Sequence, residues 1–126
     1  MRILNQLLGG NKTIKFDEIM VGENYKISQL IVDPNKQTAA VEFTAISEMQ
    51  EAVDLTATFF DESGNRVGIA DALISKALAT GQTTSIVMQF VESNGLGKIR
   101  QVRVEVTPLT PLMLMERAAD YVKKTE

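Results

Sequence analysis

The sequence predicts a mainly β domain: an antiparallel β-sandwich of about seven strands, with a short N-terminal helix and an amphipathic C-terminal helix. Three observations carry this. Six or seven short runs between residues 13 and 106 alternate apolar and polar side chains with period two. Clusters of Gly, Pro, Asn, Asp and Ser stand between the runs. A helical period occurs only at the two ends, so strands do not alternate with helices as a parallel βαβ fold requires.

Taken in order, Ile3, Leu4, Leu7 and Leu8 share one side of a turn or two of helix, opposite Asn5 and Gln6, and Gly9-Gly10 stops it. So short a helix is marginal alone in water and needs a surface to dock on. "TIKF" (13–16) begins the strand pattern. "YKISQLIV" (25–32) and "TAAVEFTAI" (38–46) flank "DPNKQ", where Pro34 presets φ and Asn35 tolerates tight geometry, which predicts a hairpin. "AISEMQEA" (45–52) has capping-box spacing at Ser47 and Gln50 but reads as a connection between strands. "VDLTATFF" (53–60) sets Val53, Leu55, Ala57 and Phe59 against Asp54, Thr56 and Thr58, the pattern of a half-buried antiparallel strand. "VGIADALI" (67–74), "TTSIVMQF" (83–90) and "IRQVRVEV" (99–106) complete the series. In the last segment Thr110 suits an N-cap, Pro111 a first helical position, and Lys123 and Lys124 the negative end of the dipole, predicting a helix over 111–124. At 100° per residue, Leu112, Leu114, Met115, Ala118, Ala119, Tyr121 and Val122 fall on one half of that helix. Glu116, Arg117, Asp120, Lys123 and Lys124 fall on the other, interrupted by Met113. An arc of about 180° exceeds the stripe of roughly 100° that packing on one sheet needs.

The whole reads as a single domain: a helical segment at 1–10, the β-sandwich at 13–107 and the helix at 111–124. A chain of 126 residues buries enough surface to fold without a metal or disulfide staple. Hydrophobic residues make up 44% and charged residues 23%, a globular balance. A net charge of −3 and a pI near 5.0 give no overall attraction to phosphate backbones or anionic lipid, so no nucleic-acid partner is expected. Neither cysteine nor histidine occurs. This excludes Ser-His-Asp and Cys-His catalysis, disulfides and thiolate-bound zinc. The N-terminus is too short and mixed for a signal core, and no run approaches the roughly 18 apolar residues of a membrane span, so the expected location is cytoplasmic, with export or a virion as the alternative.

The stretch "DESGN" (61–65) invites a metal or phosphate reading. Counted from Asp61, however, glycine comes fourth and position twelve is Ala72, which defeats a calcium loop, and "VGIA" follows instead of a helix. A turn with Ser63-Gly64-Asn65 at positive φ between two paired strands is the preferred reading. "ESNGLGKIR" (92–100) sets Gly95 and Gly97 beside Lys98, Arg100 and Arg103; a flexible hairpin loop is preferred to an anion site. Glu42 and Asp54 would form a carboxylate pair if their strands were neighbours, although alternation places both on the polar face. Asp71 shares parity with Val67 and Ile69, which calls for a bulge, a buried pair or a different register. Phe60 follows inward Phe59 and must face outward, where it is a candidate contact.

"AVDLTATFFDESGNRVG" followed by "ALATGQTTSIVMQF" resembles the FxLYD-type domains and related immunoglobulin or fibronectin type III-like sandwiches. Phe59-Phe60-Asp61 looks like their aromatic-aromatic-Asp strand end, and Leu78-Ala79-Thr80-Gly81-Gln82-Thr83 like their Leu-x-Pro-Gly-Glu/Gln-Thr corner. Thr80 replaces the usual proline, and Ala57 the first phenylalanine. The likeness covers about residues 38–107 and implies a fold, with no catalytic residues. Such domains are usually exported, which this N-terminus does not support.

The functional expectation is a non-enzymatic structural or interaction subunit of a homo-oligomer or larger assembly, for example a virion or filament. Its partner would be itself or another protein, met through the terminal helices, with Ile3, Leu4, Leu7, Leu8, Phe60, Leu112, Met113, Met115, Tyr121 and Val122 as interface candidates. No catalytic, cofactor-binding or metal-binding residue is assigned. The alternative is a monomeric ligand-binding module using loops 61–66 and 92–98. An enzyme built on Asp71 or on Glu42 and Asp54 is the third reading.

Overall fold

The computed structural model describes residues 13–49, 51–75 and 77–109. Both expected terminal helices lie outside the described residues, as do Ile3, Leu4, Leu7, Leu8, Leu112, Met113, Met115, Tyr121 and Val122. Among the described residues no helix is long and apolar enough to cross a membrane.

Seven strands form: β1 (Ile14–Val21), β2 (Tyr25–Asp33), β3 (Thr38–Ala45), β4 (Val53–Phe60), β5 (Arg66–Ile74), β6 (Thr83–Ser93) and β7 (Gln101–Pro108). Their order in space is β1-β2-β3-β6-β5-β4-β7, and every pairing is antiparallel. Strands β4, β5 and β6 run as a meander, and β7 returns beside β4, which is a Greek key. Strand number and antiparallel pairing are as expected. The two-layer arrangement is not what forms: all seven strands belong to one sheet that curls into a nearly closed, barrel-like layer, with β1 and β7 approaching to within 8 Å between Cα atoms. Alternation along a strand identifies which face is buried. Both a sandwich and a barrel bury one face of every strand, so the pattern does not separate them.

The interior is one continuous core. Ile27, Leu30 and Val32 of β2, Val41 and Phe43 of β3, Val53, Leu55 and Phe59 of β4, and Met88 of β6 are fully or almost fully buried. Bulges keep the apolar set inward where strict alternation fails. In β1, Phe16 and Ile19 both pack on the core although three residues apart, because Glu18 takes φ 48° between them. Ser28 is the extra residue between Ile27 and Leu30 in β2. This is why β1 extends beyond the four residues that alternation marks. A further bulge at Val91 carries β6 on to Ser93.

Turns follow side-chain chemistry. Asp33 Oδ1 accepts the Asn35 and Lys36 N–H groups at 3.0 and 3.2 Å, closing the β2–β3 hairpin. At the corner before β6, the Gln82 side chain accepts the Ala79 N–H at 3.0 Å, the Gln82 N–H donates to Ala79 O at 3.0 Å, and Gly81 sits at φ 81°. Leu78 anchors this corner in the core, and Met49, whose N–H donates to Leu78 O, anchors the 46–52 connection.

Candidate functional site

Two loops meet at one end of the barrel. The first is the β4–β5 turn. Asp61 Oδ1 accepts the Ser63 and Asn65 N–H groups at 2.9 Å each, and Oδ2 accepts Asn65 Nδ2 at 3.3 Å. The backbone closes the same turn, with Asp61 N–H on Asn65 O and Gly64 N–H on Asp61 O. Only Gly64 of the Ser63-Gly64-Asn65 group has positive φ, at 86°. "DESGN" is thus a turn whose aspartate is spent on the loop's own donors.

The second loop, between β6 and β7, is not a hairpin loop. Its strands are separated by β5 and β4, so the chain crosses the end of the barrel. Gly95 at φ 96° starts a short 3-10 turn, Leu96–Lys98, in which Leu96 is buried and Ile99 fully so. Arg100 N–H then donates to Phe60 O at 2.8 Å, which fastens this loop beside Asp61. Asp61, Glu62, Ser63, Gly97, Lys98 and Arg100 line a shallow cleft of about 230 Å³. That volume lies below the range of about 300–1,000 Å³ usual for small-molecule pockets. It suits a side chain or a few-atom ion.

Electrostatically the cleft has mixed sign. Arg100 NH1 donates to Ile99 O at 2.8 Å, and among the described residues no ion pair engages Lys98, Arg100 or Glu62. The Asp61 carboxyl is held below the ordinary carboxylate range, chiefly by the Asn65 backbone N–H; desolvation opposes this, and the Asn65 side chain and the Ser63 and Gly64 N–H groups add to the lowering. A depressed folded-state pKa adds stability that is present above the unfolded value of about 3.9 and is lost as pH falls through the folded value. Accordingly, wild type should exceed Asp61→Asn in urea midpoint at neutral pH, and the difference should close in acid. Parallel urea titrations from pH 7 to pH 2 measure it, and a difference independent of pH would contradict the assignment.

The other candidates separate. Glu42 and Asp54 both face outward, but β6 and β5 lie between their strands. Three strand spacings put them about 14 Å apart, beyond the roughly 5–10 Å of carboxylate-pair chemistry. Asp71 faces outward opposite Thr56 and Gln89. Val67 is the extra residue of a β5 bulge, so parity counted from it is inverted further along the strand. Phe60 faces outward and is half-buried, with the Arg103 guanidinium 5.5 Å from its ring centroid. Among the described residues no three carboxylates gather to hold a metal ion.

Sequence reasoning missed an apolar patch on the outer face of β5 and β6. Leu73, Val87 and Val91 are 42%, 60% and 63% exposed. Leu73 and Val87 occupy the next outward positions after the Asp71–Gln89 pair, and Ala40 lies opposite Val87 on β3. The signal was present in the unbroken apolar run Ile86-Val87-Met88, which cannot all face the core of a single sheet.

No protein-family model matches the chain, and neither a curated protein nor a solved structure does.

Proposed function

We propose that this chain is a non-enzymatic interaction subunit that associates with further copies of itself through the outer face of β5 and β6. The exposed Leu73 and Val87, side by side on β5 and β6, carry this reading, with exposed Val91 further along β6 beyond Gln89, because adjacent apolar side chains on a sheet's outer face mark association surfaces more often than lone ones do. Met20 and Ile46, also exposed, stand apart from the patch on β1 and after β3. The hydrogen-bonded Leu78–Thr83 corner is the feature that supports the resemblance to FxLYD-type and immunoglobulin-like domains, while the single curled sheet departs from their two layers.

Light scattering on the full chain tests the assembly. The expected mass exceeds that of a monomer, and Leu73→Asp with Val87→Asp should reduce it to a monomer with an unchanged circular dichroism spectrum. A second reading, a ligand-binding module, draws on the convergence of loops 61–66 and 92–98 on one cleft where, among the described residues, Lys98 and Arg100 form no ion pair. A wild-type monomer at every concentration, whose Gly97 and Lys98 amide resonances move on adding inorganic phosphate, would favour that reading over self-association.

A further inference from the structure

Seven strands paired antiparallel throughout leave the two edge strands running in the same direction. β1 and β7 therefore cannot close the barrel with one more antiparallel ladder. They come within 8 Å between Cα atoms but do not pair. Along this seam the inward residues are less buried than those of β3 and β4. Ile14, Phe16 and Ile19 of β1 and Val102, Val104 and Val106 of β7 are only half-buried, whereas every inward residue of β3 and β4 is buried. Tyr25, Ile86 and Phe90 are the remaining half-buried residues packed on the core.

The chain leaves the described structure at this seam. Pro108 pairs with Val53, and Leu109, buried, donates its N–H to Ala52 O at 2.9 Å. The described chain therefore ends, at Leu109, at one end of the seam, at the tip of one of its two walls. The helix that the sequence predicts over 111–124 would be about 21 Å long at 1.5 Å per residue. The eight residues of β7 span about 27 Å. A helix turning back at Pro111 would thus cover most of the seam. Its apolar arc of about 180° is too wide for one flat sheet face but suits a groove with a wall on each side.

We propose that the β1/β7 seam is a docking groove whose occupant is residues 111–124 of the same chain, laid antiparallel to both walls. The helix covers the gap that an odd strand number leaves without an antiparallel closing ladder. This does not rest on the outer face of β5 and β6.

The absence of cysteine makes the test clean. In the full chain, Val104→Cys with Ala118→Cys should oxidise to a disulfide within one chain, running as a monomer on a non-reducing gel. A disulfide between chains would assign the groove to a second copy. Preferential oxidation of Leu73→Cys with Ala118→Cys would place the segment on the outer face instead. Either result, or no disulfide in either variant, overturns the proposal. Hydrogen exchange on the full chain provides a check that needs no cysteine. Leu114→Asp with Met115→Asp should speed exchange of β1 and β7 amides at least tenfold while leaving β3 amides unchanged; equal effects on β3, or none on β1 and β7, would count against the docking.

Discussion

Phe59→Ala is expected to remove about 3–5 kcal/mol of stability, and equilibrium urea unfolding measures it. Phe59 is fully buried on β4, its ring 5.5 Å from that of Phe90 and tilted by 38°. Its neighbours across the ladders are Gly68 on β5 and Val102 on β7, so the ring fills the interior at the cleft end of the barrel. Truncation leaves a cavity that β-strands paired on both sides cannot collapse around. With a urea slope of about 1–3 kcal/mol per molar, the midpoint should fall by about 2 M. Phe60→Ala supplies the contrast. That ring is half-buried on the outer face under Arg103, so its loss should cost well under half as much. Equal costs for the two phenylalanines would show that the faces of β4 had been reversed.

Gly68→Val is the second large effect, and it works by excess volume. A Cβ at Gly68 would stand 2.7 Å from Leu96 Cδ2, 3.2 Å from Phe90 Cε1 and 3.4 Å from Glu92 O. Leu96 is the buried anchor of the 3-10 turn, so its side chain cannot swing into solvent without giving up that anchor. Overpacking of this kind costs about 1–3 kcal/mol. Its consequence at the cleft separates it from a general destabilisation. Displacing Leu96 must move Gly97 and Lys98, so their amide resonances should shift more than those of the Asp33–Lys36 turn at the β2–β3 hairpin. Leu96→Ala combined with Gly68→Val should recover part of the loss, because the smaller side chain returns the space. A double variant less stable than either single one would argue against direct contact.

Most strands were legible in the sequence because period two survives wherever one face is buried. Val53, Leu55, Ala57 and Phe59 needed no tertiary information, nor did the β2–β3 turn, whose Asp33 acts on donors two and three residues away. Legibility failed at the bulges. Glu18, Ser28, Val67 and Val91 each shift the alternation by one residue, and a parity count has no means of placing that shift. Asp71 shares parity with Val67 for this reason, and the bulge at Val67 is the one of its three explanations that the structure shows.

The candidate site divides in the same way. That Asp61 begins a turn is a local matter, settled by its own donors at Ser63 and Asn65. That Lys98 and Arg100 stand beside it is not local, because β6 and β7 share no ladder and the connecting loop crosses two strand ends. By itself, then, the sequence determined a cysteine-free and histidine-free antiparallel β domain, its strands and its hairpin chemistry, since these depend on neighbours within a few residues. The tertiary structure alone decided the single curled sheet in place of two layers, the outward turn of Asp71, the convergence of the two loops and the exposure of Leu73 and Val87. All of these depend on which strands become neighbours, and pairing between segments tens of residues apart leaves no period in the sequence to read.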